Sequence, residues 1–155
     1  MQRARLILIC GLPGSGKTTL AKQLAEQVRA VPLSPDEWKH ALGIGDYDDE
    51  ARVRLEDRLW RLARELLTLG QSVIMENGFW SRDERDELRV AARALGATVE
   101  LLYLEASVDE LWGRLELRNQ EVEPGAVPIE RGDLEKWAAQ FEEPDVVELA
   151  LFDGP

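Results

Sequence analysis

Residues 11–18 read Gly11-Leu12-Pro13-Gly14-Ser15-Gly16-Lys17-Thr18, and this stretch matches the pattern G-x-x-x-x-G-K-[ST]. An apolar run at residues 6–10 precedes it as a predicted strand, and a helical pattern containing Leu20 and Leu24 follows it. The glycines allow the backbone to curl with its N–H groups pointing inward, and the helix N-terminus adds partial positive charge. A loop with these flanks predicts a binding site for the phosphate groups of a nucleotide.

Two side chains of this loop have distinct expected contacts. Lys17 reaches the terminal phosphates of ATP, and the Thr18 hydroxyl binds the Mg2+ ion that bridges the β and γ oxygens. Only four of the nineteen basic residues are lysines, so composition alone does not explain a lysine at this position. The alternative is a glycine-rich turn with a chance lysine. The predicted nucleotide-binding set is Gly11, Leu12, Pro13, Gly14, Ser15, Gly16, Lys17, Thr18 and Thr19.

Short apolar runs alternate with helical patterns along the whole chain. Leucines spaced 4, 3, 4 and 3 residues apart between residues 55 and 69 predict one such helix. This alternation predicts a parallel sheet in a single α/β domain over residues 1–155. Five apolar runs bounded by turn residues are the expected buried strands, at residues 6–10, 31–33, 72–75, 99–104 and 146–151.

Local signals mark where the helices begin and end. Ser34, Ser81 and Ser107 are each followed by a glutamate three residues later, which is the pattern of a capping box at a helix start. Gly70 and Gly96 follow two helical runs, where a left-handed residue is expected. Residues 120–128 are weakly patterned and contain proline and glycine, so we expect a mobile loop there.

Composition and charge restrict the classes of function. Nineteen Lys and Arg residues against thirty Asp and Glu give a formal net charge of -11, which disfavours long nucleic acids and acidic membranes as partners. Cys10 is the single cysteine and His40 the single histidine, so zinc-cluster and serine-triad chemistry are disfavoured. With no signal-peptide pattern and no membrane-length apolar run, the expected location is the cytoplasm.

Two acids follow predicted strands and are candidates for chemistry on the terminal phosphate. Asp36 comes after the second strand, where it can accept the proton of a hydroxyl acceptor. The alternative is that Asp36 only complements the dipole of the helix that begins there. Glu76 ends the third strand and is a candidate for orienting Mg2+, the alternative being a solvated loop acid.

Further residues near these strand ends are candidates for acceptor contacts. Arg82 and Arg85 lie in the first turn of a helix, where positive charge opposes the dipole unless an anion or Asp86 or Glu87 compensates it. Trp38 and Trp80 flank the expected crevice and are candidates for an apolar wall. His40 either contacts the acceptor or is an exposed helix residue.

Arg114 and Arg118 are four residues apart on one predicted helix face. Like charges at this spacing repel each other unless something negative lies between them. A triphosphate satisfies this condition, and the loop at residues 120–128 follows directly, so we expect a lid that closes over the nucleotide. The alternative is that Glu110 pairs with Arg114 and neighbouring glutamates compensate Arg118.

Together with the closing pattern Trp137-x-x-x-Phe141-Glu142-x-Pro144, these features resemble the small P-loop kinases. This group is often labelled predicted kinases or AAA-family ATPases and is related to chloramphenicol phosphotransferases, polynucleotide kinases and zeta-toxin kinases. The resemblance implies a P-loop NTPase fold with helices on both faces of a five-stranded parallel sheet of order 2-3-1-4-5. It implies phosphate and Mg2+ contacts for Lys17 and Thr18, acceptor activation for Asp36, and lid arginines at 114 and 118. Glu76 stands where members of the group usually carry aspartate.

The leading hypothesis is a kinase that uses ATP and Mg2+ to phosphorylate a hydroxyl group of a small molecule. One alternative is a polynucleotide 5'-hydroxyl kinase, which the charge restricts to short oligonucleotides. The other is a nucleotide-binding ATPase switch without a hydroxyl acceptor, in which Asp36 is dispensable.

Overall fold

The structure is a computed structural model that describes residues 2–121 and 128–155. The loop predicted at residues 120–128 falls mainly on residues 122–127, which lie outside the described residues. Within the described ranges the strands are β1 (Arg5–Cys10), β2 (Val31–Leu33), β3 (Val73–Gly78) and β4 (Thr98–Tyr103). The helices are α1 (Lys17–Val28), α2 (Pro35–Leu42), α3 (Asp49–Thr68), α4 (Arg82–Ala94), α5 (Val108–Gln120), α6 (Arg131–Gln140) and α7 (Val146–Leu149).

The described part of the chain forms one parallel sheet of four strands in the order β2-β3-β1-β4. Because β1 lies in the middle, the loop that follows it opens between the ends of β3 and β4. Alternate residues of β1 face opposite layers: Leu6 and Leu8 pack with α3, α4 and α5, whereas Ile7 and Ile9 pack with α1. The parallel α/β sheet with helices on both faces is therefore confirmed.

The predicted fifth strand at residues 146–151 is wrong, because this segment begins with the short helix α7. The Asp145 side chain accepts a hydrogen bond from the Glu148 backbone N–H at 2.7 Å, which caps the helix start. Val146 and Val147 are exposed and Glu148 is buried, the reverse of what the apolar run suggested. Asp153 then contacts the free edge of β4, donating its N–H to the Val99 carbonyl at 2.7 Å and accepting the Val99 N–H at 2.8 Å.

The predicted helix starts and ends are confirmed. Each capping serine accepts a hydrogen bond from the backbone N–H three residues later, at α2, α4 and α5. Gly70 and Gly96 adopt the expected left-handed conformation, with φ of 85° and 84°. The leucine stripe on α3 faces the core through Leu55 and Leu59, but Leu69 is exposed at its end. No helix within residues 2–121 and 128–155 combines the length and the apolar character that a membrane span requires.

Candidate functional site

The loop between β1 and α1 is held at its start by the sheet and along its length by α5. The Gly11 N–H donates to the Gly78 carbonyl at 3.1 Å, which joins the loop to the end of β3. Gly14 has φ of 85°, and a Cβ atom there would lie 3.1 Å from Leu115 Cγ, so this position requires glycine for conformation and for space. Gly16 has φ of 95° and precedes α1, whose first N–H groups face the loop. The fold thus places a helix N-terminus behind a curled loop.

Lys17 lies at the first position of α1 and its side chain folds back over the loop. The ammonium donates to the Leu12 carbonyl at 3.0 Å. Burial lowers the pKa of Lys17, and the charges of Asp36 and Glu76 act in the opposite direction. The Lys17 ammonium is therefore a partly desolvated cation within electrostatic reach of two carboxylates, Asp36 of α2 and Glu76 of β3.

Glu76 of β3 is a buried acid with one satisfied oxygen and one unsatisfied oxygen. Its Oε1 accepts hydrogen bonds from Thr18 Oγ1 at 2.8 Å and from Ser34 Oγ at 2.6 Å. Its Oε2 is buried and has no hydrogen-bond partner among the described residues. The alternative of a solvated acid does not fit, because Glu76 is 6% exposed. Ser34 was expected only as a helix cap, and its second contact with Glu76 was not foreseen.

These oxygens fit the preferences of Mg2+. The ion takes oxygen ligands, keeps several waters, and is bound by one or two protein groups together with substrate phosphates. Within residues 2–121 and 128–155, no three His, Cys, Asp or Glu side chains group closely enough to hold a metal by themselves. Thr18 and Glu76 therefore suit an ion that arrives with a nucleotide, whereas the described side chains provide no complete cage.

Asp36 lies in the first turn of α2, directly after β2. Its side chain is 71% exposed and its Oδ1 lies 3.3 Å from Lys39 Nζ. Lys39 is almost fully buried and also contacts Asp46 Oδ1 at 3.8 Å. Sequence reasoning missed Lys39, although its i, i+3 spacing from Asp36 was a readable signal. Trp38 and His40 are exposed on the same short helix.

Both predicted lid arginines of α5 lie on the side of the phosphate-binding loop. Arg114 Nη1 donates to the Gly14 carbonyl at 3.1 Å. The charge of Arg118 acts to lower the pKa of Lys17, so the two cations are in electrostatic contact. Among the described residues, no carboxylate lies within 4 Å of either guanidinium, and the alternative pairing of Glu110 with Arg114 is absent. Lys17 and Arg114 therefore contact the loop directly, and Arg118 lies within electrostatic reach of Lys17.

Arg85 is not available to an acceptor. Its guanidinium is fully buried, with Nε 2.6 Å and Nη2 2.9 Å from the two oxygens of Glu148, and Nη1 donates to the Phe79 carbonyl at 2.7 Å. The expected anion at this helix start is thus a protein carboxylate from α7, which lies 63 residues further along the chain.

Arg82 and Trp80 also engage protein groups. Arg82 Nε lies 3.1 Å from both carboxylate oxygens of Asp86, which is the ion pair named as the alternative. The Trp80 ring lies 6.2 Å from that of Trp137, centroid to centroid, with the planes tilted by 44°. Of the residues predicted for the acceptor, Asp36, Trp38 and His40 are the exposed ones, and they all lie on α2.

Comparison with known proteins places the chain in a family. The model for the family AAA_33, described as AAA domain, matches residues 6–144. The uncharacterized protein Rv2004c of Mycobacterium tuberculosis (strain ATCC 25618 / H37Rv) is 34% identical, over 74% of this chain and 26% of that protein. The chain spans about a quarter of the length of the curated relatives it matches.

Solved structures share the fold. A candidate kinase from Chloroflexus aurantiacus has a TM-score of 0.73 at 28% identity, covering 93% of this chain and 83% of that chain. The Pnkp1/Rnl/Hen1 RNA repair complex contains a chain with a TM-score of 0.74 at 20% identity, covering 99% and 47%. The Mycobacterium tuberculosis APS kinase CysC in complex with AMPPNP and APS has a TM-score of 0.61 at 19% identity, covering 84% of each chain.

The family match spans the phosphate-binding loop, β3 with Glu76, and the arginines of α5, which are the features that carried the resemblance in the sequence. The chain belongs to the AAA domain family AAA_33, within the small P-loop kinases.

Proposed function

We propose that the protein is a kinase that transfers the γ-phosphoryl group of ATP, with Mg2+, to a hydroxyl group of a small molecule. The observation that carries this proposal is Asp36, an exposed carboxylate outside the phosphate-binding loop whose charge reaches Lys17. Asp36 differs from its exposed neighbour Glu37 in that a buried lysine, Lys39, contacts its carboxylate, which supports a role beyond complementing the helix dipole. The AMPPNP bound to the APS kinase of the same fold supports ATP as the donor.

In this proposal ATP lies along the loop with its phosphates against the backbone N–H groups and the N-terminus of α1. Lys17, Arg114 and Arg118 neutralise the triphosphate and the charge that develops on its terminal oxygens. Thr18 and Glu76 would hold Mg2+, and Ser34 fixes the Glu76 carboxylate from the side of β2. When bound, Mg2+ supplies charge neutralisation at the β and γ oxygens.

The transfer step follows from the position of Asp36. The acceptor hydroxyl oxygen forms a bond to the γ-phosphorus while the bond from that phosphorus to the β–γ bridging oxygen breaks. The hydroxyl proton passes to the Asp36 carboxylate, and ADP leaves with the bridging oxygen. Lys39 is a positioning residue, because its buried ammonium holds the Asp36 carboxylate on one side and Asp46 on the other.

A phosphate-transfer screen tests the proposal. ATP labelled in its γ-phosphate is incubated with nucleosides, sugars, amino alcohols, antibiotics and short 5'-hydroxyl oligonucleotides. We expect labelled small-molecule products, and transfer confined to oligonucleotides would instead identify a polynucleotide kinase. ATP hydrolysis with no labelled product from any class would identify a nucleotide-dependent switch.

Two matched variants of α2 then test the role of Asp36. We expect Asp36→Asn to lower transfer by about 10²–10⁴-fold, as is typical for loss of a general base, and to leave ATP affinity unchanged. Glu37→Gln is the control, because Glu37 is an exposed neighbour whose only described ion pair is with exposed Lys22. Transfer at the parental rate by Asp36→Asn would refute the kinase mechanism.

We also propose a cytoplasmic location, in keeping with ATP as the phosphoryl donor.

A further inference from the structure

A cavity of about 500 Å³ opens between α3 and α4 at the carboxyl end of β3. This volume lies within the range of pockets that bind small molecules. Its floor is formed by β3 and the residues after it, and its two walls are helices. The residues that line it are Glu56, Asp57, Trp60, Met75, Asn77, Phe79, Glu84, Glu87, Leu88 and Ala91.

The charge of this cavity has one sign. Four carboxylates line it, two from α3 and two from α4, and no basic side chain is among the described lining residues. They do not form a metal site, because the described residues contain no cluster of three acids close enough to hold an ion. The charges are instead spread over two facing walls, as suits an extended organic cation.

Glu56 shows that the cavity disfavours this excess of negative charge. Burial, together with the nearby charges of Glu84 and Asp36, raises the pKa of Glu56 to about 7 against the opposing effect of Arg52 and Lys39. The helix α2, which carries the proposed general base, packs against α3 and therefore lies next to the wall that contains Glu56.

The neutral part of the lining adds two features that recognise a ligand. Asn77 Oδ1 is buried and has no hydrogen-bond partner among the described residues, so it requires a donor that the protein does not supply there. Asn77 directly follows Glu76 on β3, so its backbone adjoins the nucleotide site. Trp60 and Phe79 provide apolar surface beside the acids.

We infer that this cavity is the acceptor site and that the acceptor is a hydroxylated amine, whose ammonium group binds between Glu56 and the acids of α4. Asn77 Oδ1 accepts a hydrogen bond from a hydroxyl or ammonium group of the same molecule, and Trp60 packs against its carbon skeleton. The hydroxyl to be phosphorylated extends toward Asp36. This inference deepens the proposed function and rests on it for the transfer step, but the binding of cations is independent of transfer.

Three sugars of related carbon skeleton test the charge preference: D-glucosamine is a cation, N-acetyl-D-glucosamine is neutral and D-gluconate is an anion. Calorimetry without nucleotide measures binding, and ATP-dependent transfer measures kcat/KM. We expect glucosamine to exceed the other two by at least about 10-fold in both, the effect of one charged hydrogen bond. Equal values, a preference for the neutral or anionic sugar, or no glucosamine binding would overturn the inference.

Variants separate the cavity from general charge effects. Glu56→Gln is expected to lower the preference for glucosamine over N-acetylglucosamine by about 10-fold. Glu65 is an exposed acid of the same helix, and Glu65→Gln is expected to leave this preference unchanged. Glucosamine affinity should also fall as the pH is lowered below about 7, where Glu56 takes up a proton, and Glu56→Gln should abolish this dependence. An unchanged preference in Glu56→Gln would overturn the assignment.

The binding measurement and the transfer measurement can fail independently of each other. Cation binding without transfer to any compound would remove the proposed kinase function and leave the cation site. Transfer to neutral sugars without cation binding would keep the kinase function and remove this inference.

Discussion

Replacing Glu148 by glutamine is expected to destabilise the protein strongly, because it leaves the buried Arg85 guanidinium without a counter-charge. In the parent, both side chains are at most 2% exposed and share two hydrogen bonds of 2.6 and 2.9 Å. Breaking a buried pair by removing one partner costs about 3–5 kcal/mol. Glutamine keeps one acceptor oxygen, so we expect the lower end of the range, about 3 kcal/mol.

This loss is large relative to the stability of a domain of this size, about 5–15 kcal/mol. In urea unfolding followed by circular dichroism, a slope of about 2 kcal/mol per molar converts it into a midpoint shift of about 1.5 M. The slope itself should not change, since the folded state remains compact.

The double variant Arg85→Met with Glu148→Leu is the control. Apolar replacement of a whole buried pair is often nearly neutral, so we expect it to recover most of the loss. About 1 kcal/mol should remain, because the Phe79 carbonyl no longer receives the Arg85 hydrogen bond. A single variant within about 1 kcal/mol of the parent, or a double variant less stable than the single one, would refute a structural ion pair. A double variant that is stable but has lost phosphate transfer would instead indicate that Arg85 contributes to the acceptor site.

Three further outcomes follow from the site. Lys17→Ala should weaken binding of an ATP analogue in calorimetry, whereas exposed Lys22→Ala should not, and equal affinities would contradict the phosphate role of Lys17. Glu76→Gln keeps an acceptor for Thr18 and Ser34 but removes the charge, so Mg2+ should enhance analogue binding less than in the parent. Because the pKa of Glu56 is raised, the stability of the protein is expected to fall as the pH rises from about 4.5 to 7. In thermal melts at several pH values, Glu56→Gln should reduce this fall. The same pH dependence of the melting temperature in parent and variant would contradict the raised pKa.

Features that depend on nearby sequence were predictable. The loop at residues 11–18, the capping serines and the glycines that end helices all rest on contacts within a few residues, so a linear pattern contains them. The prediction of a fifth strand was wrong because the structure of this segment depends on a contact that is distant in sequence. Residues 146–151 are apolar enough for a strand, but a cap at Asp145 and the partner of Glu148, 63 residues away on α4, favour a helix there.

The predictions for the candidate site also divide into those that rest on local spacing and those that depend on distant contacts. Arg114 and Arg118 were found through the repulsion implied by their spacing, and both lie beside the loop. The contact of Ser34 with Glu76 spans 42 residues and depends on β2 lying next to β3, which the sequence does not state. Arg85 was misinterpreted because a missing counter-charge in the sequence is equally consistent with a ligand and with a distant carboxylate.

The family match ends at residue 144, yet residues beyond it contact α4 and the edge of β4. Glu148 neutralises Arg85, and Asp153 occupies both hydrogen-bonding groups of Val99 at the edge of β4. A fragment that keeps only the matched region would therefore lack both of these contacts. Truncation of this chain after Pro144 would leave the buried Arg85 guanidinium uncompensated and the edge of β4 open to pairing with another copy. Truncation after Asp153 keeps both contacts and should yield a monodisperse fragment in size-exclusion chromatography.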